Sequence, residues 1–331
     1  MYKNLSLNFK ALFVKKEKKK FILSLGRKNI NHINKNEVLI KVLFSSLNYK
    51  DILICLGNPG LIRKYPHIPG IDASGIVIKS GSKKFKMGDK VMVVAQPLGV
   101  RSNGGFSQFI KVPFNWVEKI PKNFSIKKSM IFGTAGFTAT LAVMTLLKKK
   151  IKKDKPILVS GATGGVGVFS IYMLTKLGFS VVAVSTKNKD NFLKKLGAKE
   201  VISLKEFCKN PNLPLLKIKY AAIIDNIGGD IIRLGSKQLD NNGKILSIGM
   251  ASGENINIGL MPFILRGIEL IGINSENTDT KLRKKIWKNI TKFSNDNKLN
   301  HIFKECGLSE ISNVIKKIKL NKNVGRYIVK L

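Results

Sequence analysis

A chain of 331 residues is longer than one ordinary core fills, so two domains of roughly 150 residues each are expected. Hydrophobic residues make up 44% of it and its mean hydropathy is +0.02, which fits a globular chain and excludes a disordered one. The net charge of +39 raises nucleic-acid binding, but only seven of the 59 basic residues are arginine, the usual reader of bases and phosphates. The lysines are scattered and come with abundant Asn and Ile, the residues that AT-rich codons favour, so no specific nucleic-acid partner is expected.

Five lysines between Lys15 and Lys20 stand where the apolar part of a secretory signal would begin. The uncharged stretch Ile131 to Leu147 is 17 residues with Gly133 and Gly136 inside it, at the lower limit for a membrane span. It reads as a buried helix, and a cytoplasmic protein without a membrane partner is expected. Cys55, Cys208 and Cys306 are odd in number and far apart, which excludes a four-cysteine zinc site and argues for three reduced thiols.

In chain order, the first 128 residues read as β-rich. Val38–Phe44, Gly75–Lys79, Lys90–Ala95 and Phe106–Val112 are short strands punctuated by glycine and proline, as in a small barrel-like domain. After Ser129 the pattern changes. Strands at Pro156–Ser160, Ser180–Ser185, Glu200–Ser203, Tyr220–Asp225, Lys244–Ile248 and Glu269–Ile273 alternate with helices at Val168–Leu177, Asn191–Leu196 and Asp230–Leu239. That alternation predicts an α/β fold with a doubly wound parallel sheet. A further helix runs from Thr280 to about Asn295. Arg326–Leu331 is a terminal strand that returns to the first domain and makes it discontinuous.

Ser160-Gly161-Ala162-Thr163-Gly164-Gly165-Val166-Gly167 follows a strand and opens a helix, the context in which a glycine-rich turn holds a dinucleotide. Gly164 and Gly165 let a pyrophosphate approach the backbone, Gly167 lets the helix pack on its strand, and the helix N-terminus faces the phosphates. The next strand ends Val184-Ser185-Thr186-Lys187 with no acid to hold a ribose 2′-hydroxyl. A hydroxyl and a cation there suit a 2′-phosphate, so the expected cofactor is NADPH.

Together with Ser46-Leu47-Asn48-Tyr49-Lys50-Asp51, Ile68-Pro69-Gly70-Ile71-Asp72, Gly133-Thr134-Ala135-Gly136-Phe137-Thr138-Ala139 and Met261-Pro262-Phe263-Ile264-Leu265-Arg266, these residues resemble the medium-chain dehydrogenase/reductase superfamily over nearly the whole chain. They resemble its zinc-free quinone oxidoreductase branch, and within it the acrylyl-CoA reductase (NADPH) subfamily. The resemblance implies a GroES-like β-rich catalytic domain at 1–128 and 276–331, a Rossmann NADPH-binding domain at 129–275, and a homodimer. It also implies cofactor contacts at Thr163, Gly164, Gly165, Val166, Ser185, Thr186, Lys187, Met250, Ile264, Ser275 and Asn321, to which the turn adds Gly167. One departure is Glu200, where relatives carry an arginine.

Zinc-dependent relatives use cysteine and histidine ligands. Here Asn48 stands near the expected cysteine and Ile71-Asp72 replaces a Gly-His-Glu neighbourhood, so no metal site is expected and alcohol dehydrogenation is disfavoured. What remains is hydride addition to an activated C=C bond, with charge developing on a carbonyl oxygen that fixed donors stabilise. Tyr49 can donate to that oxygen, fix the cofactor ribose, or only pack on the cofactor. Asn48 and Asp51 are the other catalytic candidates, to react or to orient Tyr49 and its loop, and Asp72 reads as a turn carboxylate or a participant. An enoyl-CoA or a quinone is the expected small-molecule substrate.

Overall fold

The computed structural model describes residues 6–18, 20–186, 189–209, 213–320 and 323–331. The chain gathers into two compact units, Met1–Phe137 with Leu299–Leu331, and Thr138–Lys298. Both expected boundaries, 128/129 and 275/276, fall earlier in the chain than these divisions.

The first unit opens on a hairpin that the sequence reading passed over. Strands β1 (Leu7–Glu17) and β2 (Lys20–Ile30) pair antiparallel from Leu7–Ile30 to Glu17–Lys20, so the lysine knot lies at their tip. Lysines at such an exposed end discourage edge-to-edge pairing. Next come β3 (Glu37–Leu47), α1 (Tyr49–Cys55), β4 (Ala73–Ser80), β5 (Lys90–Val93), β6 (Phe109–Pro113) and β7 (Glu118–Lys119). Strand β6 starts later than the expected Phe106. The backbone amides of Gly104, Gly105 and Phe106 are already committed to the carbonyls of Ile68, Gly70 and Pro69.

The uncharged run is indeed helical: α2 spans Ile126–Lys148. Among the described residues it is the one helix long and apolar enough to cross a membrane, and most of its apolar stretch is buried inside the protein. It is not continuous. Gly133, at φ 47° and ψ −154°, breaks it.

The second unit runs β8 (Ile157–Val159), α3 (Gly165–Lys176), β9 (Val181–Ser185), α4 (Asp190–Leu196), β10 (Glu200–Ser203), α5 (Leu204–Phe207), β11 (Tyr220–Asp225), α6 (Asp230–Ser236), β12 (Leu239–Ser247), α7 (Met261–Arg266), β13 (Glu269–Gly272) and α8 (Thr280–Phe293). Its six strands are parallel in the order β10-β9-β8-β11-β12-β13. Counted from β8, that is the 3-2-1-4-5-6 order of a doubly wound dinucleotide fold. Strands β8, β9 and β11 are buried along their whole length, as a sheet covered on both faces requires. Helix α6 stops at Ser236, short of the expected Leu239, because Leu239 opens β12 and pairs with Tyr220. Helix α8 belongs here: Tyr172 of α3 donates to the Phe293 carbonyl at 2.9 Å.

The chain then returns to the first unit through β14 (Phe303–Gly307), α9 (Ile311–Lys319) and β15 (Arg326–Lys330). Strand β15 lies between β14, which it pairs in parallel, and β3, which it pairs antiparallel, as the terminal strand was expected to do. The sheet runs β14-β15-β3-β4-β5-β7, with β6 also on β3. Val38, Ile40, Val77, Val91 and Val93 fill one side of it, and Leu47, Ile54, Ile311 and Val329 belong to a second cluster. The GroES-like and Rossmann architecture expected from the resemblance is the one observed.

Candidate active site

In the second unit the strand order reverses between β8 and β11, where open α/β sheets bind ligands beyond the carboxyl ends of their strands. The glycine turn leaves β8 at that point. Gly161 has φ +55°, and a side chain on Gly167 would meet the Gly161 carbonyl oxygen at 2.5 Å, so helix α3 lies directly against the turn. Gly164 is the helix N-cap in an extended conformation, and no side chain caps the helix. The first amides of this twelve-residue helix are therefore available to an anion. Thr163 is buried, and the Ala162 amide bonds the Val184 carbonyl, which ties the turn to the end of β9 where buried Ser185 and exposed Thr186 lie. No acid closes β9 in the described residues; Asp190 opens α4 and is exposed. The turn thus fits a dinucleotide phosphate. Lys187 and Asn321 lie outside the described residues.

Sequence reasoning missed the brace beneath the turn. Ser160 Oγ donates to Asp225 Oδ1 at 2.5 Å and accepts from the Asn226 amide, while Asn226 Nδ2 donates to the Ser160 carbonyl at 2.7 Å. Asp225 also takes the amides of Ile227 and Gly228. Burial raises its carboxyl, and these donors oppose the rise. A lone acid closing an apolar strand was the signal available. Met250 reaches the same end of the sheet: its Cα is 3.3 Å from where a Gly228 side chain would begin, and its own side chain is exposed. Ser275 is half-buried in the loop after β13, its carbonyl bonded by Thr278. Ile264 is exposed on α7. Arg266, two residues on, is tied to the carbonyls of Leu216, Lys237 and Leu239 at the amino ends of the strands. That is the end opposite the turn, and among the described residues nothing within this unit joins Ile264 to the turn.

In the first unit Asn48, Tyr49 and Asp51 come together at the start of α1. Tyr49, the first helical residue, is 55% exposed. Asp51 is fully buried. Its Oδ1 accepts the amides of Gly70 and Ile71 at 3.0 and 2.8 Å, and its Oδ2 accepts the Asn48 amide at 2.8 Å. Burial pushes its carboxyl up to about 7. It anchors the helix start to the loop before β4 and touches no open surface.

Asn48 is the N-cap, and its side chain turns inward. Nδ2 donates to Asp72 Oδ2 at 2.8 Å, and Oδ1 accepts from Arg326 Nη1 at 3.2 Å. Asp72 is more than a turn carboxylate. It is fully buried and receives Ser46 Oγ at 2.6 Å, the Thr134 amide at 2.9 Å and Thr134 Oγ1 at 2.6 Å. Arg326 Nη2 donates to Ser46 Oγ at 2.6 Å and stands 3.8 Å from Asp72 Oδ2. A side chain on Gly133 would collide with Asp72, Ser46 and Arg326 at 2.5 to 2.8 Å, so the break in α2 makes room for this cluster and turns the Thr134 amide toward it.

These residues do not fit zinc. Among the described residues no three of His, Cys, Asp and Glu group so as to hold a metal ion. His67, between prolines, has its Nε2 on the Gly99 carbonyl at 2.7 Å, and burial raises the Cys55 thiol far from the thiolate a metal requires. Arg326 was the other omission of the sequence reading. An arginine opening a strand, in a chain whose ordinary base is lysine, was the available signal.

Comparison with known proteins covers the whole chain. Residues 34–122 match the alcohol dehydrogenase GroES-like domain family, and residues 165–294 the zinc-binding dehydrogenase family. YhfP of Bacillus subtilis (strain 168), which carries a quinone oxidoreductase name, is 36% identical over 99% of this chain and all of its own. Its crystal structure with NAD bound superimposes with a TM-score of 0.90, covering 98% of this chain and 100% of that one. The acrylyl-CoA reductase AcuI of Ruegeria pomeroyi is 33% identical over 97% of this chain and 98% of its own. The yhdH oxidoreductase of Salmonella enterica, solved in complex with NADP, is 33% identical with a TM-score of 0.92, covering 97% and 99% of the two chains.

Proposed function

The chain belongs to the medium-chain dehydrogenase/reductase superfamily, in the branch shared by quinone oxidoreductases and acrylyl-CoA reductases, and from that footing we propose that it reduces the activated C=C bond of an enoyl thioester, acryloyl-CoA to propanoyl-CoA, with NADPH and without zinc. The carrying observation is the inward-turned cluster of Asn48, Asp72 and Arg326. It occupies the neighbourhood where zinc-type relatives place ligands and leaves Tyr49 as the exposed donor beside it.

NADPH, when bound, supplies the hydride. The protein's part is to bind, orient and donate. The amides at the start of α3 and the turn Thr163, Gly164, Gly165, Val166, Gly167 would hold the pyrophosphate, with Ser185 and Thr186 toward the adenosine ribose, where the sequence pattern adds Lys187, and Met250 and Ser275 further along the same edge. The family pattern adds Ile264 and Asn321. Tyr49 Oη would donate to the carbonyl oxygen of the substrate as it gains charge, a role a metal would otherwise take. Asn48 and Asp51 hold Tyr49 in place, because their polar atoms are already engaged.

The second reading is reduction of a quinone or enone at the same site, favoured by the likeness to YhfP. The NAD bound to YhfP also makes the choice of cofactor a point to test. A homodimer in the cytoplasm is the assembly this reading expects. One assay separates the possibilities: oxidation of NADPH and of NADH, each with acryloyl-CoA and with a simple quinone. The proposal expects the highest kcat/KM with NADPH and acryloyl-CoA, and NADPH bound at least about tenfold tighter than NADH, roughly 1.4 kcal/mol. Turnover of the quinone alone would replace it with the second reading.

A further inference from the structure

Arg326 is an expensive residue for the fold to keep. It is 3% exposed, and burial lowers its pKa against the support of Asp72 and Asp51. Its Nε has no hydrogen-bond partner among the described residues. Its Nη2 reaches Asp72 only at 3.8 Å, with Ser46 Oγ between them in the chain of hydrogen bonds. A buried ion pair of this kind is often no more stabilising than an apolar replacement, and an orphaned buried donor calls for an explanation outside stability. Asp72 could be satisfied without it, since Ser46, Asn48 and Thr134 already donate to the carboxylate.

What Arg326 supplies is a charged side-chain donor to Asn48 Oδ1. An asparagine amide has two faces, one accepting and one donating, and a half-turn about χ2 exchanges them. Asp72 accepts from Nδ2 on one side and Arg326 donates to Oδ1 on the other, so only one orientation satisfies both. Asn48 is the N-cap of α1, and Tyr49 follows it as the first helical residue. The Asn48 side chain is thus held immediately before the helix that carries the exposed phenol, whose first turn Asp51 ties to the Asn48 backbone amide.

We propose that Arg326 is a positioning residue for the reduction: by donating to Asn48 Oδ1 and Ser46 Oγ it fixes the orientation of the Asn48 amide and, through it, the placement of Tyr49. This rests on the reading of the protein as an NADPH-dependent reductase with Tyr49 as donor. Lysine at 326 keeps the charge but not the two-pronged fork, because its ammonium is a single point with no fixed geometry. A neutral pair, Arg326→Met with Asp72→Asn, removes the buried charges together and leaves Asn48 without its donor.

The experiment measures thermal stability, NADPH affinity, kcat and KM for the native protein, Arg326→Lys and the neutral pair. It adds the exchange with solvent of the Asn48 side-chain amide protons by NMR, assigned through Asn48→Asp. The expected result is that Arg326→Lys keeps Tm and NADPH affinity near native values while kcat falls by about tenfold or more with KM little changed. The neutral pair should keep its Tm and stay equally slow. The Asn48 amide protons, slow to exchange in the native protein, should exchange fast in both variants.

A kcat within about twofold of native in Arg326→Lys overturns the proposal, and this variant decides alone if the neutral pair fails to fold. So does a loss of kcat in Arg326→Lys that the neutral pair restores along with Tm, which would mark a merely structural ion pair. A native protein that turns over neither acryloyl-CoA nor a quinone sinks the functional reading instead. The orientation then stands or falls on whether the Asn48 amide exchange changes in Arg326→Lys.

Discussion

Asn48 spends both faces of its amide on Asp72 and Arg326, whereas Tyr49, one residue on, is left exposed. That contrast makes Tyr49 the residue to alter first. Tyr49→Phe removes a hydroxyl and little else, so turnover should fall by roughly 10²-fold while NADPH affinity barely moves. Tyr49→Ala should weaken both. An unchanged kcat in Tyr49→Phe would leave the ring only a packing role. Asp51 gives a second test, read in stability. Burial raises its carboxyl from 3.8 to about 7, against the opposing pull of the Asn48 amide, with the charge of Asp72 adding to the rise. A carboxyl raised by folding lends stability that is whole below its unfolded value and is lost as pH climbs through the folded one. Between pH 4 and 7 the native protein should therefore lose stability relative to Asp51→Asn, by up to about 1.4 kcal/mol per pH unit, with the difference level above that window. Urea unfolding of both proteins across the range checks this, and parallel curves would mean that Asp51 does not titrate there.

At the scale of elements, α2 is the telling case. Its composition is that of one unbroken apolar helix, but the chain departs from helical geometry at Gly133 so that Thr134 can reach Asp72. Gly133→Ala would place a methyl among Asp72, Ser46 and Arg326 and force φ 47° on a residue with a side chain. It should destabilise the first unit by about 3 kcal/mol or more, measured by chemical unfolding. The sequence carried the glycine but not its reason. The three side chains that crowd Gly133 come from positions 46, 72 and 326, and no local pattern joins them. The same holds for Arg326, whose partners lie almost 280 residues earlier. By contrast, the glycine turn after β8 and the alternation of strands and helices were legible, because a turn residue and a hydrophobic period act within a few positions of one another. The hairpin β1–β2 was hidden for a different reason: its lysine-rich tip has the composition of a solvated loop.

For the molecule as a whole, acids are scarce enough that basic residues share them. Lys149 and Lys244 both bond Glu269. Arginines are few and partly buried, Arg283 and Arg326 among them. An excess of this kind attracts polyanions without reading them. Duplex DNA should bind weakly and without sequence preference, with affinity falling steeply as salt rises from about 50 to 200 mM. Tight, sequence-selective binding at physiological salt would give the charge a function of its own.

The placement of β15 has a consequence for the order in which the molecule can be assembled. This strand is held on both sides, by β14 and β3, and it brings Arg326 to the cluster around Asn48. On a ribosome it emerges only after every residue of the second unit has been made. The nucleotide-binding half can therefore close its own sheet during synthesis, while the half that carries Tyr49 must wait with the Phe44–Leu47 end of β3 unpaired on one edge. Unpaired strand edges are where nascent chains misassociate. Translation arrested before residue 326 should leave a polypeptide with a folded second unit and a protease-sensitive first one.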